Sequence, residues 1–358
     1  MRVLAFASIV IASACSPAHR VRPTLTSTAE TSQWLRTGRY DEAVTLCRSY
    51  AVAYDDVTCD SIGETTQGRP IVALSITRNA DAPVILIQGG IHAGEIEGKD
   101  AGFRFLRDLL DGKVAPGALD AVSVVFIPVI NPDGHERFGP NHRPNQRGPE
   151  EMGFRTNGAR LNLNRDYIKA DSPELRAELR VIHARDPVML VDLHTTDGAQ
   201  FEHDISVITS PLAPRGDGLE EAATALSGSL QKRLTELGHL PVPFYPSFVD
   251  DTNPHSGFAS GEAAPRFSSY FMAARSRIGI QHACERRIAD DPRTPQRHTG
   301  CVHGRHVDEI KAPQRPTPTI AEPHLHHASD ARNEGGRRDR GRAPQRHHAR
   351  RPRGTGQR

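Results

Sequence analysis

The last part of the chain, residues 281–358, contains no phenylalanine, tyrosine or tryptophan and a single leucine, Leu325. In their place it holds 16 arginines, nine histidines and eight prolines. A segment of this composition buries too little apolar surface to offset the entropy that is lost on ordering. We therefore predict a disordered basic tail over residues 281–358. Because the tail has no aromatic side chain to stack on a base, no nucleic-acid partner is expected.

Net charge is small for the whole chain, at +2, because two unlike parts offset each other. The tail carries +8, whereas residues 1–280 carry −6. The abrupt change of composition near Ile280 favours a shift of the reading frame at that point, so that the tail is out of frame. A native disordered basic extension and a His-rich metal-binding tract are the two alternatives.

The apolar run at the start of the chain, residues 3–14, is too short to span a bilayer as a helix. It follows a basic residue and ends in three small residues before Cys15, which predicts a signal peptide over residues 1–14. We therefore expect an exported protein, either periplasmic or extracellular. The residues before Cys15 resemble a bacterial lipobox, so a lipid anchor at Cys15 and ordinary cleavage without lipid are both open.

Cysteine is scarce, with five residues in the chain. In an oxidising compartment Cys47 and Cys59 are able to form a disulfide, and two unpaired thiols are the alternative. Residues 15–32 include a stretch rich in Thr, Ser and Pro, and we predict that they form a linker. The linker then leads into a folded domain over residues 33–280.

Short apolar runs alternate with helical patterns along this domain. Strands are predicted at residues 71–76, 84–88, 122–130 and 188–194, and helices at 34–50, 98–110 and 173–184. The alternation indicates a largely parallel sheet that is covered on both faces. In such sheets the ligand site lies beyond the carboxyl ends of the strands, where Gly89, Gly90, Asn131 and His194 all fall.

Candidate metal ligands occur at two of these strand ends. His92 and Glu95 lie three residues apart just after a strand, a spacing that lets both side chains converge on one cation, although such a pair is more often a solvated helix face. His194, at the end of a predicted buried strand, supplies a third ligand or else is a structural core histidine. Three protein ligands with one open position is the arrangement of catalytic zinc. Asp192 and Asp197 are candidates to orient the histidines.

Four motifs, taken in order, resemble those of the zinc carboxypeptidases. They are His92-x-x-Glu95, Asn131-Pro132-Asp133-Gly134, Leu161-Asn162-Leu163-Asn164-Arg165-Asp166 and Asp192-Leu193-His194. The upstream segment GETTQGRPI also resembles the one that opens the catalytic domain of that family. The match covers about residues 55–280. It implies an α/β fold, a three-layer α/β/α sandwich around a mixed, mostly parallel sheet, whose C-terminal part is incomplete in this chain.

The resemblance also implies a role for several side chains. It assigns one Zn²⁺ per chain to the three ligands named above. Asn164 and Arg165 match the pair that grips the terminal carboxylate of the substrate, a role that suits a planar guanidinium group. Arg143 is our choice for the arginine that stabilises the oxyanion. Arg147 is the second candidate for that role, and a surface charge is the alternative for each arginine.

The family places its general-base glutamate on a late apolar strand, which should begin at about residue 281. The chain reads QHACERRIADD there, and Glu285 is the nearby carboxylate that we assign to the base. Two functional classes stay open. One is a zinc metallocarboxypeptidase acting on peptides, or a related deacylase acting on N-acyl amino acids. The other is a zinc- or peptide-binding remnant without the base, and for this chain as written we predict little or no activity.

Overall fold

The computed structural model describes residues 23–143, 149–195, 203–211, 216, 218–244, 247–250, 253–259 and 264–284. Within these residues, eight strands form one mixed sheet. They are β1 (Val57–Glu64), β2 (Pro70–Ile76), β3 (Val84–Gly89), β4 (Ser123–Ile127), β5 (Met189–Thr195), β6 (Ile205–Ser210), β7 (Pro241–Val242) and β10 (Ile278–Cys284). Two short strands, β8 (Ser247–Phe248) and β9 (Phe258–Ala259), pair with each other.

The strand order in the large sheet is β1-β2-β4-β3-β5-β10-β6-β7. The four central strands, β4, β3, β5 and β10, run parallel to one another, whereas β1, β2 and β6 join by antiparallel pairing. The described helices are α1 (Thr28–Thr31), α2 (Tyr40–Ala53), α3 (Glu97–Leu110), α4 (Ala118–Ala121), α5 (Pro132–Glu136), α6 (Pro173–Arg185), α7 (Leu219–Glu236) and α8 (Ser268–Ala274). In the part of the chain that the structure describes, these helices lack the combination of length and hydropathy that a membrane span requires.

The side chains of β2 show how the sheet is covered on both faces. Val72 and Leu74 pack with Phe103 of α3, whereas Ile71 packs on the opposite face with Leu175 of α6. Successive residues of a strand point to opposite faces, so β2 contributes to two separate apolar cores. The α/β fold with three layers is therefore confirmed.

Most of the predicted elements are present, with differences at their ends. The strand predicted at 122–130 is shorter and ends at Ile127, and the predicted turn at Asn131 opens the short helix α5, because the Asn131 side chain caps the Gly134 N–H. The helix predicted from Trp34 begins only at Tyr40. Trp34 has a φ of 69°, in the left-handed region, which is incompatible with a continuing α-helix.

The end of the predicted linker 15–32 is part of the folded domain instead of a free tether. Ser27 and Glu30 form a capping box at α1, and Ala29 is buried. Glu30 also forms an ion pair with Arg107 of α3, which attaches this segment to the body of the domain. Residues 1–22, with the predicted signal peptide and Cys15, lie outside the described residues.

The C-terminal boundary predicted at residue 281 is also wrong, because Gln281 to Cys284 belong to β10. This strand pairs in parallel with β5 and antiparallel with β6, so its backbone is hydrogen-bonded on both sides. Gly279 permits the close contact with α8, since a Cβ at this position would lie 2.2 Å from the Ser269 carbonyl oxygen. Residues 285–358, the rest of the predicted tail, lie outside the described residues.

Candidate metal centre

His92 and Glu95 lie in the turn that joins β3 to α3. Gly90 begins this turn with a φ of 63°, a conformation that favours glycine. The Glu95 N–H donates to the His92 carbonyl oxygen at 2.8 Å, which closes a tight turn before α3 begins. The two side chains therefore sit at the carboxyl end of a central parallel strand, as the sequence predicts.

His194 reaches the same place from the carboxyl end of β5. Glu95 stands between the two imidazoles, with its Oε1 at 3.0 Å from His92 Nδ1 and its Oε2 at 2.9 Å from His194 Nδ1. All three side chains are buried, and ligand atoms of the three lie within 4.8 Å of one another. Two imidazole nitrogens and a carboxylate form a donor set that suits Zn²⁺. The three residues therefore fit the metal that the sequence predicts.

The electrostatics of the cluster favour a cation. Burial lowers the pKa of His92. Burial opposes ionisation of Glu95, but the charges of the two imidazoles hold the pKa of this carboxyl well below its usual range. Burial also disfavours the charged form of His194, yet Asp192 and Glu95 outweigh it and raise the pKa of His194 to about 10. An imidazole binds metal through a deprotonated ring nitrogen, so acid weakens metal binding at this cluster.

Each histidine uses its second ring nitrogen to contact a polar group behind the cluster. His194 Nε2 lies 2.9 Å from Asp192 Oδ2, and His92 Nε2 lies 3.1 Å from Asn162 Oδ1. Such partners fix the tautomer and orientation of a ligand histidine. Asp192 thus takes the position expected of one of the two candidate orienting aspartates, while Asp197 lies outside the described residues.

The Asn131-Pro132-Asp133-Gly134 motif ties the surrounding loops together. The Asn131 side-chain amide donates to the carbonyl oxygens of Ile91 and Arg155, at 3.4 Å in both cases. Asp133 is fully buried and accepts hydrogen bonds from the Thr65 hydroxyl at 2.7 Å and the Arg69 guanidinium at 2.7 Å. These bonds link the loop before His92 to the segment GETTQGRPI. The Asn131-Pro132-Asp133-Gly134 motif and this segment therefore both have a structural role beside the metal centre.

Asn164 and Arg165 lie beside the metal ligands in a single 3₁₀ turn, Leu163–Arg165. Asn164 is buried, and its Nδ2 lies 3.4 Å from His194 Nε2. Arg165 is exposed and lies over the ring of Phe267, with its Cζ 4.2 Å from the ring centroid. The structure therefore brings the predicted carboxylate-binding pair to the edge of the metal centre.

Two arginines approach the same carboxylate oxygen. Arg143 Nη1 lies 2.8 Å from Glu95 Oε1, and the Arg143 side chain is only 8% exposed. Arg155 Nη1 lies 3.7 Å from the same oxygen, and its side chain is 33% exposed. The greater exposure of Arg155 leaves it more open to a bound substrate. Arg147, the second candidate from the sequence, lies outside the described residues, as does the predicted base Glu285.

Sequence reasoning did not identify three residues that contact this centre. Arg155 and Ser268 stand outside the four motifs quoted above, and the sequence analysis assigned no role to either. Asn162 does lie within a motif, two residues before Asn164, and its position next to the candidate substrate-binding pair was the available signal. All three depend on contacts between distant parts of the chain.

Comparison with known proteins places these features in a family. Residues 44–239 match the family model for zinc carboxypeptidase. Carboxypeptidase B of Helicoverpa zea is 31% identical over 126 residues, which cover 32% of this chain and 29% of that protein. The chain thus spans less than a third of this relative.

Two solved structures share the fold. A metallo-carboxypeptidase from Burkholderia cenocepacia has a TM-score of 0.50 and 19% identity, with 67% of this chain and 58% of that chain covered. A metallo-carboxypeptidase from Pseudomonas aeruginosa, in complex with (2-guanidinoethylmercapto)succinic acid, has a TM-score of 0.51 and 18% identity over the same shares. Since the family model matches more than half of the chain, the protein belongs to the zinc carboxypeptidase family, whose cofactor is Zn²⁺.

Proposed function

We propose that this protein is a zinc-dependent metallocarboxypeptidase that removes C-terminal residues from peptides. One juxtaposition supports this function best: the Asn164 amide, a candidate carboxylate-binding group, lies 3.4 Å from the ligand His194. His92, Glu95 and His194 hold the metal. When bound, Zn²⁺ acts as a Lewis acid toward the scissile carbonyl and lowers the pKa of a water molecule.

The environment of Asn164 determines which group it is able to bind. Its Oδ1 already accepts a hydrogen bond from the Ser268 N–H at 3.1 Å. The Nδ2 amide group carries two N–H donors and lies on the side of the metal ligand His194. It therefore suits an acceptor such as a carboxylate oxygen, and the exposed guanidinium of Arg165 is suited to the same anion.

The arginines next to Glu95 are the candidates to stabilise the oxyanion. Arg143 is the choice made from the sequence, and its ion pair with Glu95 supports a place at the reacting centre. Arg155 is the better candidate on structural grounds, because a third of its side chain is open to solvent while it still approaches Glu95. A donor that points at a developing negative charge typically lowers the activation free energy by about 2.7 to 4 kcal/mol.

Glu285 is the proposed general base. The described part of β10 ends at Cys284, which pairs with Thr195, the residue after the ligand His194. The chain is therefore carried to the metal centre immediately before Glu285. This arrangement favours an active enzyme over the second candidate, a zinc- or peptide-binding protein without a base.

We also propose that the protein is exported, with residues 1–14 as signal peptide and Cys15 as a candidate lipid-bearing residue. The disulfide between Cys47 and Cys59 supports this location, since disulfides persist mainly in oxidising compartments.

The experiment that tests the proposed function measures release of the last residue from a panel of N-blocked dipeptides. Each dipeptide is compared with its C-terminally amidated form and with the matching N-acyl amino acid. We expect hydrolysis of the free-carboxylate dipeptides, loss of activity with a zinc chelator and recovery on adding Zn²⁺. Faster cleavage of the N-acyl amino acids would assign the protein to the deacylases instead, and no cleavage of any substrate would favour the binding protein.

A further inference from the structure

Ser268, the first residue of α8, contacts both halves of the proposed site. Its hydroxyl donates to Asp192 Oδ2, the oxygen that also contacts the ligand His194. Its backbone N–H donates to Asn164 Oδ1 at 3.1 Å. Ser268 is fully buried, so neither hydrogen bond is exposed to solvent.

The Asp192 carboxylate depends strongly on this hydroxyl. Its other oxygen, Oδ1, is buried and has no hydrogen-bond partner within the described residues. Both contacts of the Asp192 carboxylate are therefore made by Oδ2, one with His194 Nε2 and one with the Ser268 hydroxyl. Without the hydroxyl, the carboxylate would lose its second anchor and with it the fixed direction from which it orients the imidazole.

The position of Ser268 is set by the strand that follows it. Ser269 packs directly on Gly279 of β10, where a Cβ would lie 2.2 Å from the Ser269 carbonyl oxygen. This contact holds the start of α8 against β10, two residues along the sheet from the strand position that pairs with Asp192. The serine thus lies between a metal-side group and a substrate-side group.

We propose that Ser268 is a positioning residue that holds Asp192 for the metal site through its hydroxyl and Asn164 for the substrate carboxylate through its backbone N–H. This inference rests on the proposed function. It divides the two tasks between side chain and backbone, so a substitution at Ser268 should affect one task and spare the other.

The decisive variant is Ser268→Ala in the full-length protein, with zinc affinity measured by chelator competition. We expect the affinity to fall about tenfold, the lower end of the range for residues behind a metal ligand. Binding of a reduced-amide peptide with a free C-terminal carboxylate, measured on zinc-saturated protein, should stay within about twofold, because the backbone N–H is unchanged. The matched control is Ser269→Ala, which removes an equally buried hydroxyl that has no hydrogen-bond partner within the described residues.

Two further proteins complete the design. A His92→Ala/His194→Ala variant measures how much zinc binds outside the proposed site. This background matters because residues 281–358 contain nine histidines. Ser268→Cys keeps most of the side-chain volume but has a weak donor, so it should show the same loss of affinity if Ser268→Ala does not fold. Thermal unfolding of each metal-free protein separates a loss of stability from a loss of metal affinity.

Unchanged zinc affinity in Ser268→Ala and Ser268→Cys, with normal binding by the wild-type protein, would overturn this inference alone. Equal losses in the Ser268 and Ser269 variants would also overturn it, since they would indicate a packing effect. If the wild-type protein binds no more zinc than the double histidine variant, the proposed function fails and the inference with it.

Discussion

Glu95 Oε2 and His194 Nδ1 lie 2.9 Å apart, although 99 residues separate them in the chain. The contact arises because β3 and β5 are parallel neighbours, with Gly89 opposite Leu193 at their carboxyl ends. The turn after β3 and the last residues of β5 are thereby brought to one edge of the sheet. The metal centre is thus a product of strand pairing, and its chemistry can be tested residue by residue.

Replacing His194 by alanine should lower the zinc content of the purified protein by about one ion per chain, because a three-ligand site loses an essential donor. Total zinc is measured by elemental analysis after removal of loosely bound metal. His239→Ala is the matched control, since His239 pairs with Asp204 at 2.9 Å outside the metal cluster. Equal zinc content in His194→Ala and the wild type would contradict the assignment.

Replacing Arg165 by alanine should weaken binding of free-carboxylate peptides by about 1.5 to 3 kcal/mol, the usual range for a charge-assisted contact. Amidated peptides should lose much less, because they lack the anion. Arg266→Ala serves as control, since Arg266 lies over the same Phe267 ring, at 5.2 Å, and carries the same charge. Similar losses for both kinds of peptide would show that Arg165 does not recognise the carboxylate.

Replacing Glu285 by glutamine should lower kcat by about 10²- to 10⁴-fold without changing zinc content, because the amide cannot transfer a proton. Rates on the preferred dipeptide and metal content are measured together, with Asp290→Asn as a control for loss of a nearby charge. Comparable rates in Glu285→Gln and the wild type would remove Glu285 from the mechanism. Very low activity in both would agree with the prediction from the sequence and favour the binding protein.

Glu178 should make stability depend on pH. Burial raises the pKa of Glu178 to about 8 from its usual 4.5, and the Asp192 charge adds to the rise, although a hydrogen bond from Tyr167 opposes it. Below pH 4.5 the Glu178 carboxyl is protonated in both the folded and the unfolded chain. Between pH 4.5 and about 8 only the unfolded chain ionises, so stability falls as pH rises, by up to about 1.4 kcal/mol for each pH unit.

The Glu178→Gln variant should escape this loss, because the amide does not ionise. Its free energy of unfolding relative to the wild type should therefore rise between pH 5 and pH 9, as measured by urea unfolding. Glu236→Gln, on the exposed end of α7, is the control for a general charge effect. The same difference between Glu178→Gln and the wild type at both pH values would refute the expected linkage.

The disulfide between Cys47 of α2 and Cys59 of β1 should contribute about 3 kcal/mol to stability by restricting the unfolded chain. Reduction of the wild-type protein should lower its free energy of unfolding toward that of a Cys47→Ala/Cys59→Ala variant. Reductant should leave the variant unchanged, which controls for the other cysteines. A variant as stable as the oxidised wild type would show that the cross-link adds nothing.

The sequence alone predicted a large part of the fold and of the metal site. The apolar runs of β2, β3 and β5 are local signals, because continuous or alternating apolar residues are typical of a buried strand. His92, Glu95 and His194 were recognisable for a related reason. A metal requires particular donor types, and these residues stand at or shortly after strand ends in motifs of a known family.

Other features depend on which segments become neighbours in space. Ile278 to Cys284 form a central strand because β5 and β6 flank them and satisfy their backbone hydrogen bonds, although Gln281 and His282 give the segment a polar composition. Arg155 reaches the centre from a loop and Ser268 from the first turn of α8, and the local sequence does not encode where either segment packs. The sequence by itself thus determined strands β2 to β5, the candidate metal ligands and the family. The tertiary structure decided which side chains surround them, since these contacts join residues far apart in the chain.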